Sequence, residues 1–220
     1  IKTNGGPLVI TFIKHGSVMF EYDGQVIHVD PVMRMGDYSK LPDADLILIT
    51  HHHGDHWDLN AVEKIRKQNT RIIATQQCME STEELTDVII MENGDRKKIA
   101  GLNIHAVPAY NIKHKRDNGE PYHIKGQGNG YVVKFADKNV YIAGDTENIP
   151  EMKQLEDIEV AFLPMNLPYT MSPDMAADAA KMFRPEILYP YHFGSTDPIK
   201  LADLLQYEED IEVRIRDMGF

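Results

Sequence analysis

The chain carries a dense group of possible metal ligands at residues 50–56, which read Thr-His-His-His-Gly-Asp-His. Four of the ten histidines and one carboxylate fall within six residues, directly after the apolar run Leu46–Ile49. Imidazole rings at the end of a buried strand bury little apolar surface, so packing does not account for them. Imidazole nitrogens and carboxylate oxygens together suit zinc, iron, manganese or nickel. The segment therefore predicts a transition-metal site.

The spacing within this segment separates two sets of ligands. In an extended turn, His51 and His53 point to the same side, so both rings can reach one ion. Gly54 lets the backbone reverse, which allows Asp55 and His56 to face a second ion nearby. Polyhistidine tags lie at chain ends and lack an interleaved Gly-Asp pair, so a tag does not explain the pattern. We therefore expect two divalent transition-metal ions, with zinc preferred over manganese, iron or nickel.

Apolar patterns around the segment predict a layered α/β fold. Three short apolar stretches open the chain, with a hairpin turn at Asp23-Gly24, and strands mix with helices afterwards. Asp58 and Ser172 are expected to cap helices. No Gly-rich linker divides the chain, so residues 1–220 are expected to form one domain. Predicted strands cover residues 8–13, 18–22, 25–30, 46–50, 71–75, 87–91, 102–107, 131–135, 140–143, 158–163, 187–190 and 211–214, and predicted helices cover 59–67, 77–85, 173–183 and 199–207.

The apolar periodicity disappears between Ala109 and Gly130, which predicts a long loop. Loops of about twenty residues are uncommon inside compact domains and are often functional. This loop contains a basic cluster, Lys113-His114-Lys115-Arg116. Two interpretations stay open for that cluster: a solvated loop, or a wall that selects an anionic substrate.

Composition excludes several classes of function. The 220 residues include 23 Lys and Arg against 34 Asp and Glu, a net charge of −11, which argues against nucleic-acid binding. No apolar run approaches the ~18 residues of a spanning helix, so no membrane association is expected. Cys78 is the only cysteine, which excludes an intramolecular disulfide. The chain starts at Ile1 and shows no leader, so its compartment stays open.

The order of the motifs resembles the metallo-β-lactamase superfamily. His51-x-His53-x-Asp55-His56 after an apolar strand is similar to the superfamily signature. Residues 107–111, 143–146 and 191–194 are most similar to the branch with L-ascorbate 6-phosphate lactonase and many uncharacterised hydrolases. The resemblance spans the chain and implies an αββα sandwich with metals at the rim between two sheets. Its further motifs are matched, in order, by Asp30, Gly144-Asp145-Thr146 and Tyr191-His192-Phe193-Gly194.

The resemblance also implies a role for each matching residue. Asp30 would support the histidine loop through hydrogen bonds that fix imidazole orientation. Asp55 and Asp145 are the catalytic candidates, since either carboxylate could orient the attacking hydroxide and carry its proton to the leaving group. The implied ligands are His51 and His53 for the first metal, Asp55, His56 and His192 for the second, and Asp145 as the bridge.

One position departs from the superfamily pattern. The third histidine of the first metal usually follows the strand that ends here near Ala109, where this chain has Tyr110 and Asn111. His123, just before the next strand, is the preferred replacement; His114, or a site without a third imidazole, stays open. The remaining histidines, His15, His28, His52 and His105, are expected to lie outside the metal site.

Together these features predict metal-activated hydrolysis. Two metals about 3.5–4 Å apart generate hydroxide from water near pH 7 and polarise a carbonyl or phosphoryl oxygen. The expected substrate is a small, anionic ester, lactone or phosphoester, faced by the loop residues Asn111, Lys113, His114, Lys115 and Arg116. The alternatives are a phosphodiesterase acting on nucleotides and a metal- or ligand-binding scaffold with little turnover. A homo-oligomer is possible on this sequence.

Overall fold

The computed structural model describes residues 1–80, 85 and 87–219, which form fifteen strands and four α-helices. Short 3₁₀ helices cover Met33–Met35, Tyr38–Lys40 and Pro150–Gln154. The strands are β1 (Lys2–Thr3), β2 (Gly6–Pro7), β3 (Val9–Lys14), β4 (Ser17–Tyr22), β5 (Gln25–Val29), β6 (Ala44–Leu48), β7 (Arg66–Ala74), β8 (Val88–Ile90), β9 (Arg96–Ile99), β10 (Leu102–Ala109), β11 (Gly128–Phe135), β12 (Lys138–Ile142), β13 (Ile158–Pro164), β14 (Ile187–Tyr191) and β15 (Glu212–Val213). The helices are α1 (Leu59–Ile65), α2 (Gln76–Glu80), α3 (Pro173–Phe183) and α4 (Ile199–Leu205).

The strands form two large sheets of similar design. The first has the order β3-β4-β5-β6-β7-β8 and the second the order β15-β14-β13-β12-β11-β10-β9, while β1 and β2 pair separately. Pairing is antiparallel from β3 to β5 and parallel from β5 to β8. The second sheet is likewise antiparallel from β9 to β12 and parallel from β12 to β15. In each sheet, the carboxyl ends of the parallel strands therefore lie along one edge.

Side-chain alternation along β6 defines the layers. Leu46 and Leu48 belong to the core between the sheets, whereas Ile47 and Ile49 belong to a separate apolar cluster with α1. On the outer face of the second sheet, Tyr141 packs edge-on against Phe183 of α3 at 5.5 Å between ring centres. The result is the αββα sandwich that the resemblance implies.

Several predicted elements match the structure closely. The Asp58 side chain accepts a hydrogen bond from the Asn60 amide at the start of α1, and Ser172 caps α3 in the same way. The first predicted helix ends two residues early, because the chain enters β7 directly at Arg66. The first part of β7 is polar and mostly exposed, so it carries no apolar pattern. Of the helix predicted over 77–85, residues 81–84 lie outside the described residues.

The strand β9 was not predicted. Its sequence, Arg-Lys-Lys-Ile, is basic, and it forms the edge of the second sheet beside β10. Charged side chains are common on edge strands because they discourage pairing with other chains. No helix within the described residues is long and apolar enough to cross a membrane.

Candidate metal centre

The predicted ligands meet where the carboxyl ends of the two sheets face each other. Asp30 directly follows β5, and residues 51–56 follow β6 in the first sheet. In the second sheet, Asp145 follows β12 and His192 follows β14. Carboxyl ends of parallel strands are common places for ligand sites in α/β folds, because loops from several strands meet there. The long loop between β10 and β11 adds His123.

Three imidazoles form the first cluster, made of His51, His53 and His123. Their ring centres lie 4.7 to 5.0 Å apart. One nitrogen from each ring lies within 4.8 Å of the others, which is close enough to hold a metal ion. The structure thus places the His123 ring beside His51 and His53, although the sequence has Asn111 at the position where the third histidine usually lies.

The second cluster contains His15, Asp55, His56 and His192. The Asp55 Oδ2 atom lies 3.2 Å from His15 Nε2, 3.4 Å from His192 Nε2 and 4.0 Å from His56 Nε2. His15, which spacing did not place in the site, packs against His192 with 3.6 Å between ring centres and 35° between the ring planes. Its position depends on the turn between β3 and β4, so no local motif marks it.

Asp145 lies between the two clusters. Its Oδ2 atom is 3.2 Å from His123 Nε2 and 3.4 Å from His192 Nε2, while Oδ1 is 3.3 Å from His56 Nε2. The preceding Gly144 has φ +65°, and a Cβ there would come within 2.8 Å of the Asn129 carbonyl oxygen. A glycine is therefore needed for the tight turn that presents Asp145 to both clusters.

Asp30 fixes the orientation of two histidines. Its Oδ2 atom lies 2.7 Å from His56 Nδ1 and accepts a 2.6 Å hydrogen bond from the Thr50 hydroxyl. Because a carboxylate only accepts, His56 Nδ1 carries a proton, and Nε2 faces the cluster. The Thr50 hydroxyl has already donated to Asp30, so its oxygen accepts from His51 Nδ1 at 3.0 Å. Asp30 thus sets the tautomer of both rings.

Replacing Asp30 with Asn is expected to weaken metal binding about 10- to 100-fold, the usual effect of losing a hydrogen-bond partner behind a ligand. The Asn side chain has one acceptor oxygen for the three donors that Asp30 accepts from, so it cannot hold all three. The position of the proton on a histidine ring is then no longer fixed. Metal titration of the folded variant measures the change. Asp45→Asn is the matched control, since Asp45 bonds the Val26 amide and Lys67 away from the site. Equal metal affinities in the wild type and Asp30→Asn would contradict the role of Asp30 in orienting the histidine rings.

Three residues of this site have left-handed backbone conformations. His15, Asp30 and His192 have φ angles of 55°, 44° and 46°, which are uncommon outside glycine. Such conformations cost on the order of 1–3 kcal/mol each and persist where the surrounding structure enforces them. Their concentration here indicates that the fold places these side chains at a cost in stability.

The donor atoms themselves show whether a metal fits. Within the described residues, the buried Nε2 atoms of His51, His56, His123 and His192 and the Oδ1 atom of Asp145 make no hydrogen bond. A buried polar atom without a partner costs about 1–3 kcal/mol. Neutral imidazole and carboxylate groups that converge in this way are the donor set of transition metals. The site residues therefore fit metal ions.

Electrostatics prepare most of these groups for metal binding. Burial, with His123 nearby, lowers the pKa of His53 to about 4, so its ring is neutral at pH 7. Burial opposes ionisation of Asp145, but His192 and His56 hold the pKa of its carboxyl well below the usual value. Burial also disfavours the charged form of His56, yet Asp145 and Asp30 raise the pKa of His56 to about 9. A metal ion held by His56 Nε2 would therefore displace a proton from that ring.

The loop between β10 and β11 places His123 in the first cluster, whereas His114 lies outside both clusters. The Asn111 Oδ1 atom accepts hydrogen bonds from the His123 amide at 2.9 Å and from His123 Nδ1 at 2.6 Å. An amide oxygen only accepts, so His123 Nδ1 carries the proton and Nε2 faces Asp145. His114 Nδ1 lies 2.7 Å from Glu147 Oε1, outside both clusters.

A cleft of about 680 Å³ opens over the clusters. His53, Asp55, His123, Asp145 and His192 contribute to its floor. Of the three predicted cations, Arg116 lines this cleft, whereas Lys113 and Lys115 are exposed and do not. Lining residues that the sequence did not predict are Arg34, Tyr122, Asn166 and Tyr169.

Known proteins resemble this chain over most of its length. A family profile described as the Beta-lactamase superfamily domain matches residues 9–192. A UPF0173 metal-dependent hydrolase of Methanopyrus kandleri is 33% identical over 92% of this chain and 91% of its own length. A Parabacteroides distasonis protein of known crystal structure is 49% identical in sequence to this chain, with a TM-score of 0.93 over 99% of this chain and 97% of that one.

The fold also has a distant match. The metallo-β-lactamase fold protein YhfI of Bacillus subtilis is 14% identical, with a TM-score of 0.77 over 97% of this chain and 98% of that one. The profile and the Methanopyrus relative cover most of the chain, and the histidines and aspartates that could bind metal cluster where the two sheets meet. This chain therefore belongs to the metal-dependent hydrolases of the metallo-β-lactamase superfamily.

Proposed function

We propose that this protein is a dinuclear hydrolase, with zinc the preferred metal, that cleaves a small anionic ester, lactone or phosphoester. The observation that carries the proposal is the position of the Asp145 carboxylate, within 3.4 Å of nitrogens from both histidine clusters. In this assignment His51, His53 and His123 would hold one ion, and Asp55, His56 and His192 would hold the other. The Asp145 carboxylate would be shared by both sites, and its charge would offset the repulsion between two dications.

The side chains at the floor of the cleft have distinct roles in the proposed hydrolysis. When bound, the metal ions lower the pKa of water and polarise the scissile carbonyl or phosphoryl group. Asp55 is half-buried and lines the cleft, so its carboxylate can orient the nucleophile and carry a proton to the leaving group. Burial opposes its ionisation, but the imidazoles of His15 and His192, whose Nε2 atoms lie 3.2 and 3.4 Å from Asp55 Oδ2, hold the pKa of Asp55 below the usual value. Its carboxylate is therefore ionised at neutral pH.

The cleft walls favour an anionic substrate. Arg34, from the 3₁₀ helix after β5, and Arg116, from the long loop, both line the cleft. The Arg116 guanidinium lies 5.1 Å from the centre of the Tyr122 ring and donates to the Tyr122 carbonyl oxygen at 3.3 Å. A cation held in this way can recognise a carboxylate or phosphate without first losing much side-chain entropy.

The alternative of a scaffold with little turnover depended on an incomplete first site. His123 lies within 5.0 Å of both His51 and His53, measured between ring centres, which supports a complete first site over that alternative. A phosphodiesterase acting on nucleotides stays a second candidate, because the same donor set and cleft cations suit a phosphodiester.

The test combines metal content with turnover. The purified protein is stripped of metal, reconstituted separately with zinc, manganese, iron or nickel, and analysed for bound metal. Each form is then assayed on neutral esters, anionic esters, lactones, phosphomonoesters and phosphodiesters. We expect two ions per chain and turnover that depends on them, fastest on anionic esters or lactones with zinc. Stoichiometric metal without hydrolysis of any class would refute the proposal in favour of a scaffold.

Replacing Arg116 with Ser is expected to raise KM for an anionic ester up to about fivefold, the effect of an exposed ion pair worth at most about 1 kcal/mol. The kcat value and the KM of a neutral ester should stay unchanged, because the cation acts on binding alone. Lys115→Ser is the matched control, since Lys115 is exposed and does not line the cleft. Equal changes for both esters would mean that Arg116 does not select charge.

A further inference from the structure

Glu147 is a buried carboxylate close to the metal centre that belongs to neither ligand cluster. Its Oε2 atom accepts hydrogen bonds from the amides of Ile112 and Lys113 at 2.8 and 2.7 Å. Its Oε1 atom accepts from the His114 amide at 2.7 Å and from Asn111 Nδ2 at 3.2 Å. One carboxylate thus binds four N–H donors from four consecutive loop residues.

Asn111 transmits this anchoring to His123. Its Nδ2 group donates to Glu147 and to the Tyr169 carbonyl oxygen at 2.9 Å, while its Oδ1 atom accepts both His123 hydrogen bonds. Both ends of the amide are therefore occupied, which excludes the flipped orientation. The Asn111 amide also donates to the His123 carbonyl oxygen at 2.9 Å. Asn111 and His123 are therefore joined by three hydrogen bonds, and Asn111 is bonded to Glu147.

The same chain segment presents both Asp145 and Glu147. Between them, Thr146 accepts a hydrogen bond from the Tyr110 amide at 3.2 Å, and the Glu147 amide donates to the Tyr110 carbonyl oxygen at 3.0 Å. The start of the long loop is therefore fixed against the segment that carries the carboxylate between the clusters. Burying a charged carboxylate is costly unless it is fully hydrogen-bonded, and the four N–H donors of residues 111–114 compensate Glu147 for its burial.

We propose that Glu147 is a positioning residue that, through Asn111, holds the His123 ring with Nε2 directed at the first cluster. This inference rests on the proposed function, in which His123 is a ligand of the first metal. It explains how an imidazole from a long loop can replace the histidine that is missing at Asn111. A loop ligand without such support would lose conformational entropy on every binding event.

The test is the Glu147→Gln variant, because glutamine has one acceptor oxygen and directs an NH₂ group at the loop amides. We expect the affinity for one of the two ions to fall about 10- to 100-fold while the other is unchanged. In the metal-free protein, nitrogen-15 NMR should show a single His123 tautomer with the proton on Nδ1, and a mixture of tautomers in Glu147→Gln. Glu151→Gln is the matched control, since Glu151 bonds Tyr110 and Lys125 but not the Asn111–His123 unit.

Each outcome separates this inference from the proposed function. If the wild type binds fewer than two ions, the proposed function fails, and the tautomer measurement still tests the role of Glu147. If Glu147→Gln keeps the wild-type affinities and tautomer, the inference fails alone. An equal loss at both ions with a lower Tm would mean a merely structural role and would also overturn it. If Glu147→Gln does not fold, Asn111→Ala decides: loss of one ion supports the inference, and unchanged binding refutes it.

Discussion

Replacing Asp145 with Asn is expected to reduce turnover by about 10²- to 10⁴-fold, because the stabilisation supplied by a metal pair is worth several kcal/mol. The Asp145 carboxylate lies within 3.4 Å of three histidine nitrogens drawn from both clusters. An amide oxygen is neutral and a weaker ligand, so the repulsion between the two dications would be left without compensation. Metal analysis should then find fewer than two ions per chain, and steady-state kinetics should show the loss in kcat.

Asp55→Asn is the comparison that makes this result specific. Asp55 contacts His15, His56 and His192 in the second cluster alone. Replacing Asp55 should weaken the binding of one ion, whereas Asp145→Asn should weaken the binding of both. Circular dichroism should be unchanged in each variant, since neither side chain belongs to the apolar core. Activity of Asp145→Asn within a few-fold of wild type would show that the carboxylate does not bridge.

Replacing His123 with Ala is expected to remove the first ion while the second stays bound. The first ion would lose one of its three imidazoles and keep His51, His53 and the shared Asp145 carboxylate, whereas Asp55, His56 and His192 are unaffected. Metal content should fall from two ions to one, and turnover by a factor on the order of 10² or more, since one metal no longer stabilises the transition state. Titration with zinc, followed by elemental analysis, measures the loss.

His114→Ala is the matched control for this variant. Both histidines lie in the loop between β10 and β11, but His114 contacts Glu147 rather than the cluster. We expect His114→Ala to keep both ions and most of the activity. The opposite pattern, with metal lost in His114→Ala and kept in His123→Ala, would contradict the ligand assignment.

The parts of the site that could be predicted are those encoded locally. Residues 51–56 contain four of the candidate ligands in one turn, and the apolar run before them marks the strand that ends at the site. Asp30, Asp145 and His192 are single residues, and the resemblance to a superfamily was needed to select them. The structure brings all of them together at the edge where the two sheets meet.

The parts that could not be predicted depend on contacts between distant segments. His15 reaches the second cluster from a turn more than thirty residues before its partner Asp55, and nothing near it in sequence suggests a ligand. Arg34 lines the cleft because the 3₁₀ helix after β5 lies beside the site. No pattern in the sequence marks Glu147, and its proposed role depends on amides more than thirty positions earlier.

Strands whose position depends on distant contacts were also missed. β9 and the first half of β7 are polar, so neither carries the apolar alternation that marks a strand. Their pairing partners, β10 and β6, place them in the sheets. Sequence patterns therefore predicted strands that face a core, and missed those whose position depends on backbone pairing alone.

A crystal structure of the zinc-reconstituted protein, with data collected on both sides of the zinc absorption edge, tests the central claim most directly. The anomalous map should show two peaks on either side of Asp145. One peak should contact His51, His53 and His123, and the other Asp55, His56 and His192. A single peak at full zinc occupancy, or two peaks that do not share Asp145, would contradict the dinuclear assignment.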